Sequence, residues 1–306
     1  MEDLPALPAF IRVPLVHLAI ALSTLAHTLP LFLVAFLKWL LPLRAWRAAC
    51  ARVLVRIAES WIAGNGWMMD HATPTRMRVS GIEGLRVDGH YLVLANHRSW
   101  VDIVALQYAC NRRAPFLRFF LKQQLIWVPL LGLAWWALDF PFMRRASRKQ
   151  LAKRPELAAS DKLATRRACE KFRGLPVSIM NFVEGTRFTA AKQARQGDAY
   201  RHLLRPKAGG VAFVLESMGE ALHALVDVSI AYPGGTPTLM DLLSGRIPEI
   251  VLEIRELPIP AELAGSDYEH DSAARVRYQR WLNGLWEDKD ARLERLLGDE
   301  TKGATA

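Results

Sequence analysis

Apolar residues form three patterns along this chain, and each pattern predicts a different kind of element. A nearly continuous apolar stretch covers residues 13–37, and a helix needs about 20 such residues to cross a bilayer. Short β-prone runs then alternate with helical segments, and a charged amphipathic stretch follows over 272–297. The pattern predicts an α/β fold, a mixed sheet flanked by helices, with an N-terminal membrane-embedded helical segment.

Five runs are the candidate strands of the sheet: 77–80, 91–95, 177–183, 224–232 and 250–254. Helices are predicted over 102–109, 161–172 and 272–297, and another is expected to begin at Pro206, because proline is favoured in the first helical turn. We therefore divide the chain into an anchor with a basic amphipathic helix (1–60), an α/β domain (61–298) and a tail (299–306). Pro30 allows the anchor to be one tilted helix or a short helical hairpin.

Two polar clusters follow directly after predicted strands, where α/β folds place functional residues. The first, residues 96–102 (NHRSWVD), holds His97 and Asp102 five positions apart. An imidazole can accept a proton near neutral pH, and a neighbouring carboxylate fixes its tautomer. Because no serine or cysteine is placed as a nucleophile, the pair predicts direct acyl transfer to a substrate hydroxyl. The alternative is a turn histidine beside a solvated carboxylate.

The second cluster, residues 182–187 (FVEGTR), has the composition of an anion site. Gly185 permits close backbone approach, Thr186 can donate one hydrogen bond, and Arg187 offers a planar fork that suits a phosphate. Glu184 is expected to hold Arg187 in place or to bind an acceptor hydroxyl. A structural Glu–Arg pair in a turn is the alternative.

These clusters resemble the conserved blocks of the membrane glycerolipid acyltransferases of the lysophosphatidic-acid acyltransferase type, Asn-His-x4-Asp and Phe-x-Glu-Gly-Thr-Arg. The resemblance extends over about residues 75–235, with two departures: Arg144 replaces an acidic residue, and Asp227 replaces a proline. Two further family elements, Lys-x2-Leu-x3-Pro-x2-Gly and Pro-Lys-x-Gly-Gly, match these residues: Lys122, Leu125, Pro129, Gly132, Pro206, Lys207, Gly209 and Gly210.

The resemblance implies an O-acyltransferase that moves a fatty acyl group from acyl-CoA or acyl carrier protein to a lysophospholipid, most simply 1-acylglycerol 3-phosphate. His97 would be the base, and Asp102 its orienting carboxylate. Arg187, with Lys122 and Arg145, would clamp the acceptor phosphate, and Glu184 would order the loop. A remodelling acyltransferase, a transacylase and a non-catalytic membrane-surface protein remain as alternatives. No cofactor and no metal are expected, because the cysteines and histidines lack metal-ligand spacing.

Charge and composition point to lipid as the partner. The net charge is +10, hydrophobic residues make up 51% of the chain, and there are ten tryptophans, which favour the membrane–water interface. The apolar N-terminus favours anionic lipid over nucleic acid. Basic residues that follow the apolar stretch predict a membrane-bound protein whose domain faces the cytoplasm, at the inner membrane if bacterial. They are Arg44, Arg47, Arg52 and Arg56.

The uncharged stretch over residues 125–138 is too short to span a bilayer. It is expected to be either a buried helix or a membrane-facing helix that guides acyl chains. The resemblance favours the second interpretation.

Overall fold

The computed structural model describes residues 8–143, 163, 166, 169–172, 174–263, 266–268 and 270–298. Two long helices begin the chain, α1 (Ala9–Leu40) and α2 (Arg44–Ala72), and they pack against each other in antiparallel orientation. Helix α1 continues through Pro14 and Pro30. Thr28 and Leu31, on either side of Pro30, are buried, and this burial supports the helix across the proline. The anchor is therefore one continuous helix paired with α2.

Helix α1 is the one described helix long and apolar enough to cross a membrane, and little of it is buried within the protein. Helix α2 buries an apolar face while its arginines Arg44, Arg47, Arg52 and Arg56 are exposed. It continues to Ala72, so the predicted domain boundary at residue 60 falls within a helix.

A six-stranded mixed sheet forms the centre of the domain. Its strands are β1 (Arg76–Ser80), β2 (His90–Ala95), β3 (Leu117–Phe119), β6 (Val177–Phe182), β7 (Ala224–Ala231) and β8 (Glu249–Leu257). The spatial order is β1-β8-β7-β2-β6-β3, and only the β7–β8 pair among these is antiparallel. All five predicted strands are present, and the predicted mixed sheet is confirmed.

The sheet separates two apolar layers. Along β2, Tyr91 and Val93 face one layer with α1, α2 and α3 (Val101–Cys110), while Leu92 and Leu94 face the other. The second layer contains α6 (Ala208–Met218) and α8 (Ser272–Gly298). Because β2 is buried on both faces, its sequence is continuously apolar rather than alternating.

Short elements connect these layers. They are β4 (Leu121–Lys122), a 3₁₀ turn (Gln123–Trp127), α4 (Leu131–Ala137), β5 (Phe142–Met143), α5 (Ala190–Arg195), a second 3₁₀ turn (Gly219–Ala221) and α7 (Leu239–Leu243). The apolar stretch 125–138 is buried at some positions and exposed at others. Ala134 and Ala137 are buried, whereas Trp127 and Trp136 are 85% and 52% exposed. The stretch is therefore partly buried, and its role as a membrane-facing guide for acyl chains stays a prediction.

Helices near the predicted positions are found at Val101–Cys110 and Ser272–Gly298. The helix expected at Pro206 begins at Ala208 instead, with Lys207 in extended conformation before it. Half of the residues of the predicted helix 161–172, and the whole tail 299–306, lie outside the described residues, as do Arg144 and Arg145.

Candidate active site

His97 and Asp102 meet at the carboxyl end of β2. The strand ends at Ala95, and the chain turns through residues 96–100 into α3, which places Asp102 in the first helical turn. Nδ1 of His97 lies 2.7 Å from Oδ2 of Asp102, with 16% of the histidine side chain and none of the aspartate exposed. An ionised carboxylate is acceptor-only, so Nδ1 carries the proton and Nε2 is left as the basic nitrogen.

Three further hydrogen bonds fix the Asp102 carboxylate. Oδ2 accepts the backbone N–H groups of Arg98 at 2.6 Å and Ser99 at 2.9 Å. Oδ1 accepts the hydroxyl of Tyr232 at 2.5 Å. Together with His97 these donors satisfy both oxygens, as a fully buried charge requires. Burial, reinforced by the adjacent carboxylate, raises the pKa of Tyr232 well above its ordinary value, so the phenol is the donor.

Asn96 anchors the turn that carries His97 to the neighbouring strand. Its amide donates to the carbonyl of Ile230 and accepts the N–H of the same residue, both at 2.9 Å. The aromatic ring of Phe182, at the end of β6, stacks on His97 with centroids 3.9 Å apart and an interplanar angle of 14°. The imidazole is therefore held between its own turn and the adjacent strand.

Glu184 is a buried structural carboxylate, 1% exposed. One oxygen accepts the N–H of His97 and the other accepts the N–H of Leu204, both at 3.1 Å. Burial raises the pKa of Glu184 to about 8, against the hydrogen bonds that favour the ionised form. The structure thus places Glu184 between two loops that it orders, rather than against Arg187.

Basic side chains surround the turn that follows Glu184. Gly185 has a φ of +70°, and a Cβ there would lie 3.1 Å from Nζ of Lys207. Lys192 donates to the Thr186 hydroxyl at 2.7 Å, and the Arg187 guanidinium lies over the Trp100 ring, 5.2 Å from its centroid. Thr186 is thus an acceptor here. These side chains give the turn a positive charge, which suits the binding of an anion.

Of the two other predicted phosphate ligands, Lys122 lies within the described residues. Lys122 is exposed at the end of β4, where its backbone pairs with β5, and its side chain makes no hydrogen bond or ion pair with another described residue. Arg145 lies outside the described residues. Lys192 was missed by the sequence analysis because it belongs to neither motif. Lys207 was noted only as part of a helix start, and its approach to Gly185 depends on the fold.

Asp227, the departure from the family pattern, belongs to a buried ionic cluster on the opposite face of the sheet. It lies 2.5 Å from Nζ of Lys289 and 2.5 Å from Nη2 of Arg292, both on α8, and 3.1 Å from Nη2 of Arg255 on β8. Burial opposes ionisation of Asp227, but Lys289 and Arg292 outweigh it and lower its pKa. Asp227, which replaces the family's proline, is therefore paired with cations of the C-terminal helix.

Comparisons with known proteins show the family of this chain. A family model described as Acyltransferase matches residues 76–232. Lysocardiolipin acyltransferase 1 of Gallus gallus is 27% identical over 78% of this chain and 62% of its own length. The 1-acyl-sn-glycerol-3-phosphate acyltransferase 3 of Arabidopsis thaliana is 26% identical over 67% of this chain and 53% of its own. The chain thus spans between half and two thirds of these relatives.

A solved structure shares the fold. The 1-acyl-sn-glycerophosphate acyltransferase PlsC of Thermotoga maritima superposes with a TM-score of 0.51 at 19% identity, over 91% of this chain and 98% of that one.

Proposed function

Because the chain belongs to the acyltransferase family, we propose that it transfers a fatty acyl group from an acyl thioester to the free hydroxyl of a lysophospholipid, most simply 1-acylglycerol 3-phosphate. The observation that carries this proposal is the pair of His97 and the fully buried Asp102, 2.7 Å apart. Such a pair leaves Nε2 available as a base for a hydroxyl.

The proposed reaction is a direct acyl transfer. Nε2 of His97 takes the proton of the acceptor hydroxyl as that oxygen attacks the thioester carbonyl carbon. Asp102 stabilises the imidazolium that forms. The tetrahedral intermediate then expels the thiolate, the C–S bond breaks, and the imidazolium returns its proton to sulfur. An ester and a free thiol result, and no covalent enzyme intermediate is formed.

The turn after Glu184 supports a phosphate-bearing acceptor. Arg187, Lys192 and Lys207 bring three cations to one turn at the carboxyl end of β6, the strand beside β2. Guanidinium–phosphate contacts are charge-assisted and strong. We assign Arg187 as the principal phosphate ligand in this proposal, with Lys122 and Arg145 as secondary candidates carried over from the sequence.

Exposed apolar side chains support a membrane location. Along α1 they recur every three or four residues and form a stripe on its outer face: Leu15, Leu18, Leu22, Leu25, Leu29, Leu33 and Phe36. Trp127, Leu133 and Trp136 extend exposed apolar surface onto the segment around α4. A contiguous apolar surface with interfacial tryptophans is typical of membrane contact. We propose that this surface enters the bilayer and that the domain lies on the cytoplasmic side.

The named relatives acylate different lysophospholipids, to judge from their names, so the test is a donor and acceptor panel. Purified protein in detergent would receive oleoyl-CoA, oleoyl-acyl carrier protein or a dioleoyl phospholipid as the donor, with 1-acylglycerol 3-phosphate or lysocardiolipin as the acceptor. The proposal predicts thioester-dependent acylation, greatest with 1-acylglycerol 3-phosphate. Preference for lysocardiolipin would favour the remodelling alternative, and transfer from a phospholipid donor alone would favour a transacylase. No transfer with any pair would contradict the proposal.

A further inference from the structure

Tyr232 is a buried polar residue at the site that lies outside both polar motifs. It directly follows β7, and only 3% of it is exposed. Its hydroxyl donates to Oδ1 of Asp102 at 2.5 Å. Resting on the proposed function, we propose that Tyr232 is a positioning residue for acyl transfer, which acts on His97 through Asp102.

The two oxygens of Asp102 depend on different donors. Oδ2 accepts from His97 Nδ1 and from the N–H groups of Arg98 and Ser99, all contributed by the catalytic turn itself. For Oδ1, Tyr232 is the donor found among the described residues. Without the phenol, this buried oxygen loses its partner, and the carboxylate is held from one side only. Tyr232 therefore fixes the rotation of the carboxylate that orients the imidazole.

The position of Tyr232 is itself fixed by the sheet. Ile230, two residues earlier, exchanges both of its backbone hydrogen bonds with the side chain of Asn96. Strands β2 and β7 pair in parallel up to Ala95 and Val228. The phenol thus approaches Asp102 from the end of a neighbouring strand that Asn96 ties to the turn carrying His97. A phenylalanine fits the same position and removes only the hydroxyl.

Loss of the hydroxyl also changes the electrostatics of the pair. The charged or titratable groups around it are Arg98 in the same turn, Glu184 after β6, Tyr232 after β7 and Asp290 on α8. The phenol disperses part of the Asp102 charge. In its absence more negative charge faces His97, the imidazolium is stabilised, and a higher pH is needed to generate the free base.

The test compares Tyr232→Phe with Tyr278→Phe. Tyr278 is a matched control: it is 1% exposed and donates its hydroxyl to the carbonyl of Leu263 at 2.9 Å, within the α8 layer. kcat and the acceptor KM are measured from about pH 5 to about pH 9. We expect Tyr232→Phe to lower kcat about tenfold with KM unchanged, and to move the acid limb of the profile up by about half a pH unit.

Tyr278→Phe is expected to leave the pH profile in place. If Tyr232→Phe gives the kcat and acid limb of the control, or lowers activity only in proportion to lost folded protein, the positioning role is refuted.

A second measurement separates this inference from the proposed function. If the wild type and Tyr278→Phe both fail to transfer acyl groups, the proposed function is wrong. The coupling of Tyr232 to His97 through Asp102 is then measured by NMR titration of the His97 imidazole. The signal of this imidazole is identified as the one that is missing in His97→Ala. A higher titration midpoint in Tyr232→Phe supports the coupling, and an unchanged midpoint overturns it.

Discussion

Replacing Asp227 with asparagine should destabilise the protein strongly, because it leaves the buried Lys289 without a carboxylate and leaves Arg292 with only the longer contact to Glu253, at 4.0 Å. Lys289 is fully buried, and only 5% of the Arg292 side chain is exposed. Breaking a buried ion pair by removing one partner costs about 3–5 kcal/mol. At about 2–3 °C per kcal/mol for a domain of this size, Tm should fall by about 6–15 °C.

The cluster also predicts a ranking. Lys289→Met leaves Asp227 paired with Arg292 at 2.5 Å and Arg255 at 3.1 Å, so this variant should be less destabilised than Asp227→Asn. Moreover, burial, reinforced by the neighbouring arginines, lowers the pKa of Lys289 to about 8 despite Asp227. Losing this cation therefore relieves part of a desolvation cost.

Thermal unfolding of the detergent-solubilised variants, followed by circular dichroism, measures both effects. Asp88→Asn is the matched control, because Asp88 pairs with Arg86 on the surface, where both side chains are more than 60% exposed. Exposed pairs contribute little, and Tm should not change measurably. If Tm falls by less than about 3 °C for Asp227→Asn, or falls further for Lys289→Met than for Asp227→Asn, the cluster does not stabilise the protein in this way.

Two further predictions concern the turn after β6. Glu184 has a pKa raised from 4.5 to about 8, so folding favours its protonated form, and the stability it contributes below pH 4.5 is lost as the pH rises through about 8. Tm measured across that range should therefore fall more steeply for wild type than for Glu184→Gln, and equal slopes would exclude this linkage. Arg187→Ala should raise the acceptor KM about tenfold or more with kcat nearly unchanged. The exposed Arg195→Ala should alter neither, and a pure loss of kcat at Arg187 would exclude the phosphate role.

The sequence predicted the parts of the fold that local pattern controls. Strands β2, β6 and β7 are mostly apolar because both faces of the sheet are covered, and this apolar, β-prone character predicted them as strands. Strands β3, β4 and β5 are two or three residues long, which is too short to give a periodic signal. Their positions depend on neighbours that the sequence does not reveal.

The contacts of the site likewise divide into those that the local sequence predicts and those that depend on the fold. His97 and Asp102 are near each other in sequence, so their contact was predictable from one turn. Tyr232 reaches Asp102 from another strand, and Asp227 finds its cations on the C-terminal helix. Nothing local in the sequence indicates either contact. Asp227 was therefore noted only as a departure from the family pattern, and Tyr232 was missed.

The proposed role of His97 is that of the base in an acyl transfer to a lysophospholipid hydroxyl. Its most direct test is transfer from labelled oleoyl-CoA to 1-acylglycerol 3-phosphate, measured for wild type and for His97→Ala at equal folded concentration. We predict acylation by the wild type and a loss of at least about 100-fold in kcat for the variant, with an unchanged Tm. An active wild type with a variant that retains comparable kcat would contradict it.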